Sequence, residues 1–281
     1  MTPTEIIVGA WQGALALVGI ICAVRARDFS LRASLSAWNA SGSQFCLFLG
    51  VAAFCLVAVG LFCSSVARAL FPDAFSGESN WLYLIPVTQT LALATLLLAV
   101  KIFPYAFPKN FDAEKAEARE SWRALLSPRN RYGVPALFAI GFGLSLLATL
   151  LVMATIPLLP ENLQGIFREN QVLVEAFEQS NNIFVTALCV PAIAIFTPII
   201  EEIIFRAGLY RFFKSKMPAV PAAILSSVIF ALMHDAPISY LPLTVLGCVF
   251  CWAYEKTGRI AAPIYIHALF NANTLLCLAV L

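Results

Sequence analysis

Apolar residues run along this chain in long continuous blocks rather than in strict alternation, and short polar stretches separate the blocks. Spanning a bilayer as helix takes about 20 mostly apolar residues. Eight blocks qualify or come near it: Ile6–Val24, Phe45–Val66, Trp81–Phe103, Val134–Leu159, Ile183–Ile200 or beyond, Pro218–Met233, Ile238–Tyr254 and Ala261–Leu281. Continuous runs suit helices, whereas strands of a membrane barrel would alternate. The pattern predicts an all-α, polytopic membrane helix bundle of about eight transmembrane helices, with the sixth and seventh short.

Two further helices are expected outside the bilayer. Residues Asp112–Ser127 are rich in Ala, Glu and Arg, with Asp112 placed to cap the start. Leu163, Ile166, Phe167, Leu173, Val174 and Phe177 fall near one helical face, which suits a surface helix or a lid.

Composition agrees with the pattern. Of the residues, 60% are hydrophobic and 12% charged, with a mean hydropathy of +0.84. Soluble domains carry roughly 25% charged residues, so a water-soluble enzyme and a disordered chain are both excluded. A net charge of +2 is too small to favour a nucleic-acid partner. The opening residues Met1–Glu5 hold no Lys or Arg, and the run after them is longer than a signal-peptide core, so the first span is expected to persist. Sixteen of the 18 basic residues fall in alternate loops, which predicts both termini on the non-cytoplasmic side. All eight cysteines lie in apolar spans, where they read as packing residues, the Cys248–Cys251 pair included.

In such a chain, an ionisable group within an apolar run is a candidate functional group. Eighteen uncharged residues, 183–200, precede the pair Glu201-Glu202. Glu202 and Arg206 are spaced i, i+4 and can pair on one helix face. Glu201 points about 100° away and lacks that partner, so it is a candidate general base; the pair could equally mark a membrane boundary. The chain's two histidines bear on this choice. His234 closes Phe230-Ala231-Leu232-Met233-His234, with Phe230 one turn earlier, and His267 precedes Asn271 by one turn of the last helix. Three helices each contributing a polar group imply a shared polar cavity. Depth along the helices brings Glu201 level with His234, whereas His267 meets them only if the last helix starts high or its loop rises. Pro191 and Pro198 are expected to kink the fifth helix and expose carbonyls near Glu201.

These residues resemble the CPBP intramembrane proteases, which include the type II CAAX prenyl endopeptidases and bacteriocin-processing or immunity proteins. The family's motifs E-E-x-x-x-R, F-x-x-x-H and H-x-x-x-N occur in order as Glu201-Glu202…Arg206, Phe230…His234 and His267…Asn271. Leu246-Gly247 and Thr257-Gly258 add to the likeness, while Ala207 stands where many members have Gly. The resemblance covers about residues 183–281 and suggests two parts: N-terminal transmembrane helices with their connectors over 1–180, and a catalytic core over 181–281. It implies an intramembrane endopeptidase acting on a membrane-associated or lipid-anchored protein or peptide near the membrane surface. Carried over residue by residue, Glu201 is the general base and His234 its partner in holding water. His267 and Asn271 stabilise the oxyanion, and Glu202, Arg206 and Phe230 support them. A Glu-plus-His water site needs no cofactor; the alternative is zinc or another divalent metal at Glu201, His234 and His267. The other functional reading is a non-catalytic immunity or scaffold protein on the same fold, and a third is a proton- or ion-coupled transporter.

Overall fold

A computed structural model describes residues 2–26, 35–71, 83–115, 119–164, 183–234 and 236–280. Among these residues the regular structure is entirely helical. Seven helices are long and apolar enough to cross a membrane: α1 Pro3–Ala26, α2 Gly42–Leu70, α3 Ile85–Ile102, α4 Val134–Leu158, α5 Ala187–Lys214, α7 Pro237–Thr257 and α8 Ala261–Val280. Between α5 and α7 lies α6, Ala219–Leu232, which is apolar but only 14 residues long. At 1.5 Å per residue it rises about 21 Å, short of the ~30 Å hydrocarbon layer. The protein is an integral, multi-pass membrane protein, and the sixth predicted span is shorter than its neighbours.

Small residues set the closest helix contacts. Gly19 on α1 lies against Ala139 and Gly143 on α4, and a Cβ at Gly19 would sit 2.1 Å from the Ala139 carbonyl oxygen. This is the small-residue packing that lets helices approach in lipid. On the other side of the bundle the Phe48 ring of α2 fills the space at Gly208 of α5, where a Cβ would lie 2.1 Å from Phe48 Cζ. Phe48 also meets Trp38 and Phe107 edge-on.

The segment after α3 departs from expectation. Asp112 does not cap a helix over Asp112–Ser127; among the described residues of that range only Trp122–Leu125 is helical, capped by Ser121. The Asp112 carboxylate instead accepts from the Ile260 N–H at 3.0 Å and pairs with Arg259 at 3.4 Å. The N–H groups of Ala113 and Glu120 donate to Gly258 and Thr257, each at 2.8 Å. Hydrogen bonds that a helix would have used are thus spent on the α7–α8 turn, where Gly258 takes a left-handed conformation at φ 63°. The segment is thereby bonded to the α7–α8 turn at the start of α8. The second predicted surface helix, Leu163–Phe177, falls almost wholly outside the described residues.

The basic residues at the end of α5 are largely internal. Arg211 is buried and donates to the Ser36 and Asn110 carbonyls. Lys214 and the Tyr210 hydroxyl both reach buried Glu255 of α7. These bonds hold the end of α5 against α7 and the chain before α2.

Candidate active site

The fifth helix carries the first motif, and its backbone is not a regular α-helix. Wide π-helical turns at Ala192–Phe196 and Ile203–Tyr210 flank the α-helical turns Thr197–Glu202. The prolines account for the first. Thr197 N–H donates to Ala192, five residues back, so the next donor in that register would be residue 198 to Ile193. Pro198 has no N–H, and the Ile193 carbonyl is left over. Asn271 Nδ2 of α8 donates to it at 2.9 Å. Pi turns inside α-helices frequently occur at functional sites; here they bracket the two glutamates.

Four side chains then form a line through the bundle. Arg206 Nε lies 3.1 Å from Glu202 Oε2, with both side chains wholly buried. Glu202 Oε1 lies 2.9 Å from His267 Nδ1. His267 Nε2 faces Glu201 Oε2 at 3.6 Å, beyond a direct hydrogen bond. A carboxylate can only accept from the imidazole, so Glu202 places the proton on Nδ1 and orients the ring as a carboxylate partner does for a functional histidine. Aromatic rings complete the cage: His267 stacks on Phe250 at 4.9 Å and meets Phe230 edge-on at 5.8 Å. The Arg206 guanidinium lies over Phe230 and Phe250, 4.4 and 4.8 Å from their centroids. That contact offsets part of the cost of burying a cation with one carboxylate.

His234 stands on the other side of Phe230, its ring 5.0 Å from the Phe230 centroid. Its Nδ1 lies 3.0 Å from the Phe230 carbonyl oxygen. Since that oxygen accepts, Nδ1 carries the hydrogen, and Nε2 of the neutral ring is the free acceptor. The structure therefore sets both histidines on Phe230, Glu201 beside His267, and Asn271 on the α5 backbone rather than on His267. Depth does not separate His267 from the glutamates: it lies 2.9 Å from Glu202 and 3.6 Å from Glu201.

Glu201 Oε2 is buried and accepts no hydrogen bond. The carboxylate lines a cavity of about 110 Å³ with Thr197, Phe205, Met233, Cys55 of α2 and Gln89 of α3. Sequence reasoning missed Gln89 and Thr197: one polar residue within an apolar helix has no spacing pattern to mark it. Among the described residues no three His, Cys, Asp or Glu side chains are arranged to hold a metal ion. His267 Nδ1 is held by the Glu202 carboxylate and His234 Nδ1 by the Phe230 carbonyl, the kind of partner that orients a histidine for water or metal alike.

Comparison with known proteins finds likenesses over the segment that holds this site. Residues 181–273 match the family described as "Type II CAAX prenyl endopeptidase Rce1-like". That segment, about a third of the chain, is similar to Rce1-like domains. The chain is 38% identical over 74 residues to the Bacillus subtilis (strain 168) protein named "Putative membrane peptidase YdiL", a stretch covering 26% of this chain and 30% of that protein. It is 40% identical over 83 residues to "UPF0177 protein YaiH" of Lactococcus lactis subsp. lactis (strain IL1403), covering 28% and 33%. It is 35% identical over 86 residues to "Membrane-embedded CAAX protease MroQ" of Staphylococcus aureus (strain USA300), covering 28% and 34%. The matched stretches thus span about a third of each relative. No solved structure matches. The Rce1-like segment holds Glu201, Glu202, Arg206, Phe230, His234, His267 and Asn271.

Proposed function

We propose that the protein is an intramembrane endopeptidase that hydrolyses a peptide bond of a membrane-associated or lipid-anchored protein or peptide through a water activated by Glu201. One observation carries this reading: Glu201 lines a cavity, and its buried Oε2, without a hydrogen bond, stands beside a histidine. The cavity, about 110 Å³, is several times the roughly 30 Å³ a water occupies in the liquid. The family of the Rce1-like segment and the peptidase names of two relatives support the same class of reaction.

In this mechanism Glu201 takes a proton from water as its oxygen attacks the scissile carbonyl carbon, and it returns that proton to the leaving amine. His234 Nε2 is a free acceptor that steadies the same water. His267 is oriented by Glu202, itself balanced by Arg206; with Nδ1–H held by Glu202, it offers an Nε2–H to the developing oxyanion as imidazolium. Asn271 acts through the Ile193 carbonyl it holds, fixing the wide turn before Glu201. Both termini lie on the non-cytoplasmic side, and a Glu-plus-His water site needs no metal.

The test compares the proteomes of membranes holding wild-type protein and Glu201→Gln. A cleavage product that vanishes with Glu201→Gln, while the variant inserts and folds normally, is expected. Equal products from both would sink the reading and leave a scaffold or immunity role, in which the carboxylate is dispensable.

A further inference from the structure

We infer that Gln89 on α3, outside the Rce1-like segment, hydrogen-bonds the substrate backbone beside the scissile bond. The inference rests on the endopeptidase reading and deepens it, because it says which side of Glu201 the peptide occupies.

Polar side chains in the spans around Gln89 mostly bond to their own helix. Thr88 donates to Ile85 at 3.0 Å and Thr90 to Pro86 at 2.6 Å. Ser64 and Ser65 on α2 do the same with Gly60 and Leu61. Gln89 lies between the two threonines, and among the described residues its amide makes no hydrogen bond. A primary amide in an apolar span is costly unless it is paired. This one is on the wall of the cavity that Glu201 lines.

The shape of that cavity says what it takes. Cys55 and Leu56 come from a wide π turn of α2, Phe54–Ala58, and α3 packs against both this turn and Ala192–Phe196 of α5. The polar lining is Glu201, Thr197 and Gln89; the rest is apolar, Leu56, Ile200 and Met233 among it. Thr197 donates its hydroxyl hydrogen to Ala192 at 3.1 Å, so within the protein its remaining capacity is as an acceptor. Gln89 is the lining group that can both donate and accept. An extended peptide offers N–H and C=O groups in alternation, which such an amide pairs. The apolar walls suit a small apolar side chain next to the cut.

The probe is a quenched-fluorescent peptide spanning the cut found in wild-type membranes, assayed with the full chain in proteoliposomes. Gln89→Leu keeps the size and removes the amide. Loss of one uncharged hydrogen bond that is present in ground and transition states alike raises KM about three- to tenfold with kcat unchanged. The melting temperature in detergent stays level or rises, because no internal bond is lost. Gln89→Asn, with the amide on a shorter stem, falls between. An unchanged KM in Gln89→Leu overturns the inference while leaving the protease reading intact, as does a fall in kcat accompanied by a lower melting temperature. Absence of any Glu201-dependent product would instead overturn the protease reading itself.

Discussion

The buried pair Glu202–Arg206 separates what holds the site together from what performs chemistry. Both side chains are wholly inaccessible, with nitrogen and oxygen 3.1 Å apart. Arg206 Nη1 and Nη2 have no hydrogen-bond partner, and Phe230 and Phe250 lie within 5 Å of its guanidinium carbon. Changing Glu202 to Gln leaves a buried cation facing a neutral amide, and removing one partner of such a pair costs about 3–5 kcal/mol. Arg206→Met leaves the carboxylate with only the His267 Nδ1 hydrogen bond, at 2.9 Å, and is expected to cost somewhat less. The double variant carries no orphaned charge: glutamine still accepts from His267, and a methionine between two aromatic rings packs well. It should therefore be more stable than Glu202→Gln alone, with a favourable coupling of about 1–3 kcal/mol. Thermal and denaturant unfolding in detergent of the wild type, both singles and the double form the cycle. If the double is as unstable as the sum of the singles, the pair is not the electrostatic unit described. If it folds and cleaves at the wild-type rate, the pair has no part in orienting His267.

Three further outcomes follow from single contacts. Gly208→Ala forces the Phe48 ring to move and should destabilise the protein by about 1–3 kcal/mol, and Phe48→Leu should restore part of it; no shift in the melting temperature would show that α2 does not pack as described. Asn271→Leu leaves the Ile193 carbonyl without its donor and should cost about 1–3 kcal/mol, lowering the unfolding midpoint; a purely catalytic loss at full stability would argue that Asn271 works on substrate instead. Alkaline phosphatase fused after Leu281 should be active if the C-terminus is non-cytoplasmic, and an inactive, well-expressed fusion would reverse the orientation.

Much of the architecture was legible in residue order because lipid imposes a coarse rule: about 20 apolar residues make a span, and each ionisable group inside one needs a reason. That rule marked eight apolar blocks, seven of which are long helices in the structure, and singled out Glu201, Glu202, His234 and His267. It did not show that Asp112 would bond Ile260 and Arg259 instead of starting a helix, since the competing partners lie over 140 positions away. It marked the sixth span as short, as α6 is, but it also marked the seventh as short, where α7 runs for 21 residues, Pro237–Thr257.

Which groups face which was decided only by packing. Spacing placed Asn271 on the face of His267, yet the carbonyl orphaned by Pro198 draws Asn271 to α5. Resemblance assigned His234 to Glu201, while packing brings His267 to 3.6 Å from that carboxylate. Gln89 carries no motif, and only the meeting of α2, α3 and α5 around one cavity gives it a place. One-dimensional hydrophobicity determines how many helices this chain makes and which residues lipid should have excluded. Hydrogen-bond partners, by contrast, depend on the depth and rotation of separate helices, and those are fixed when all the helices pack at once.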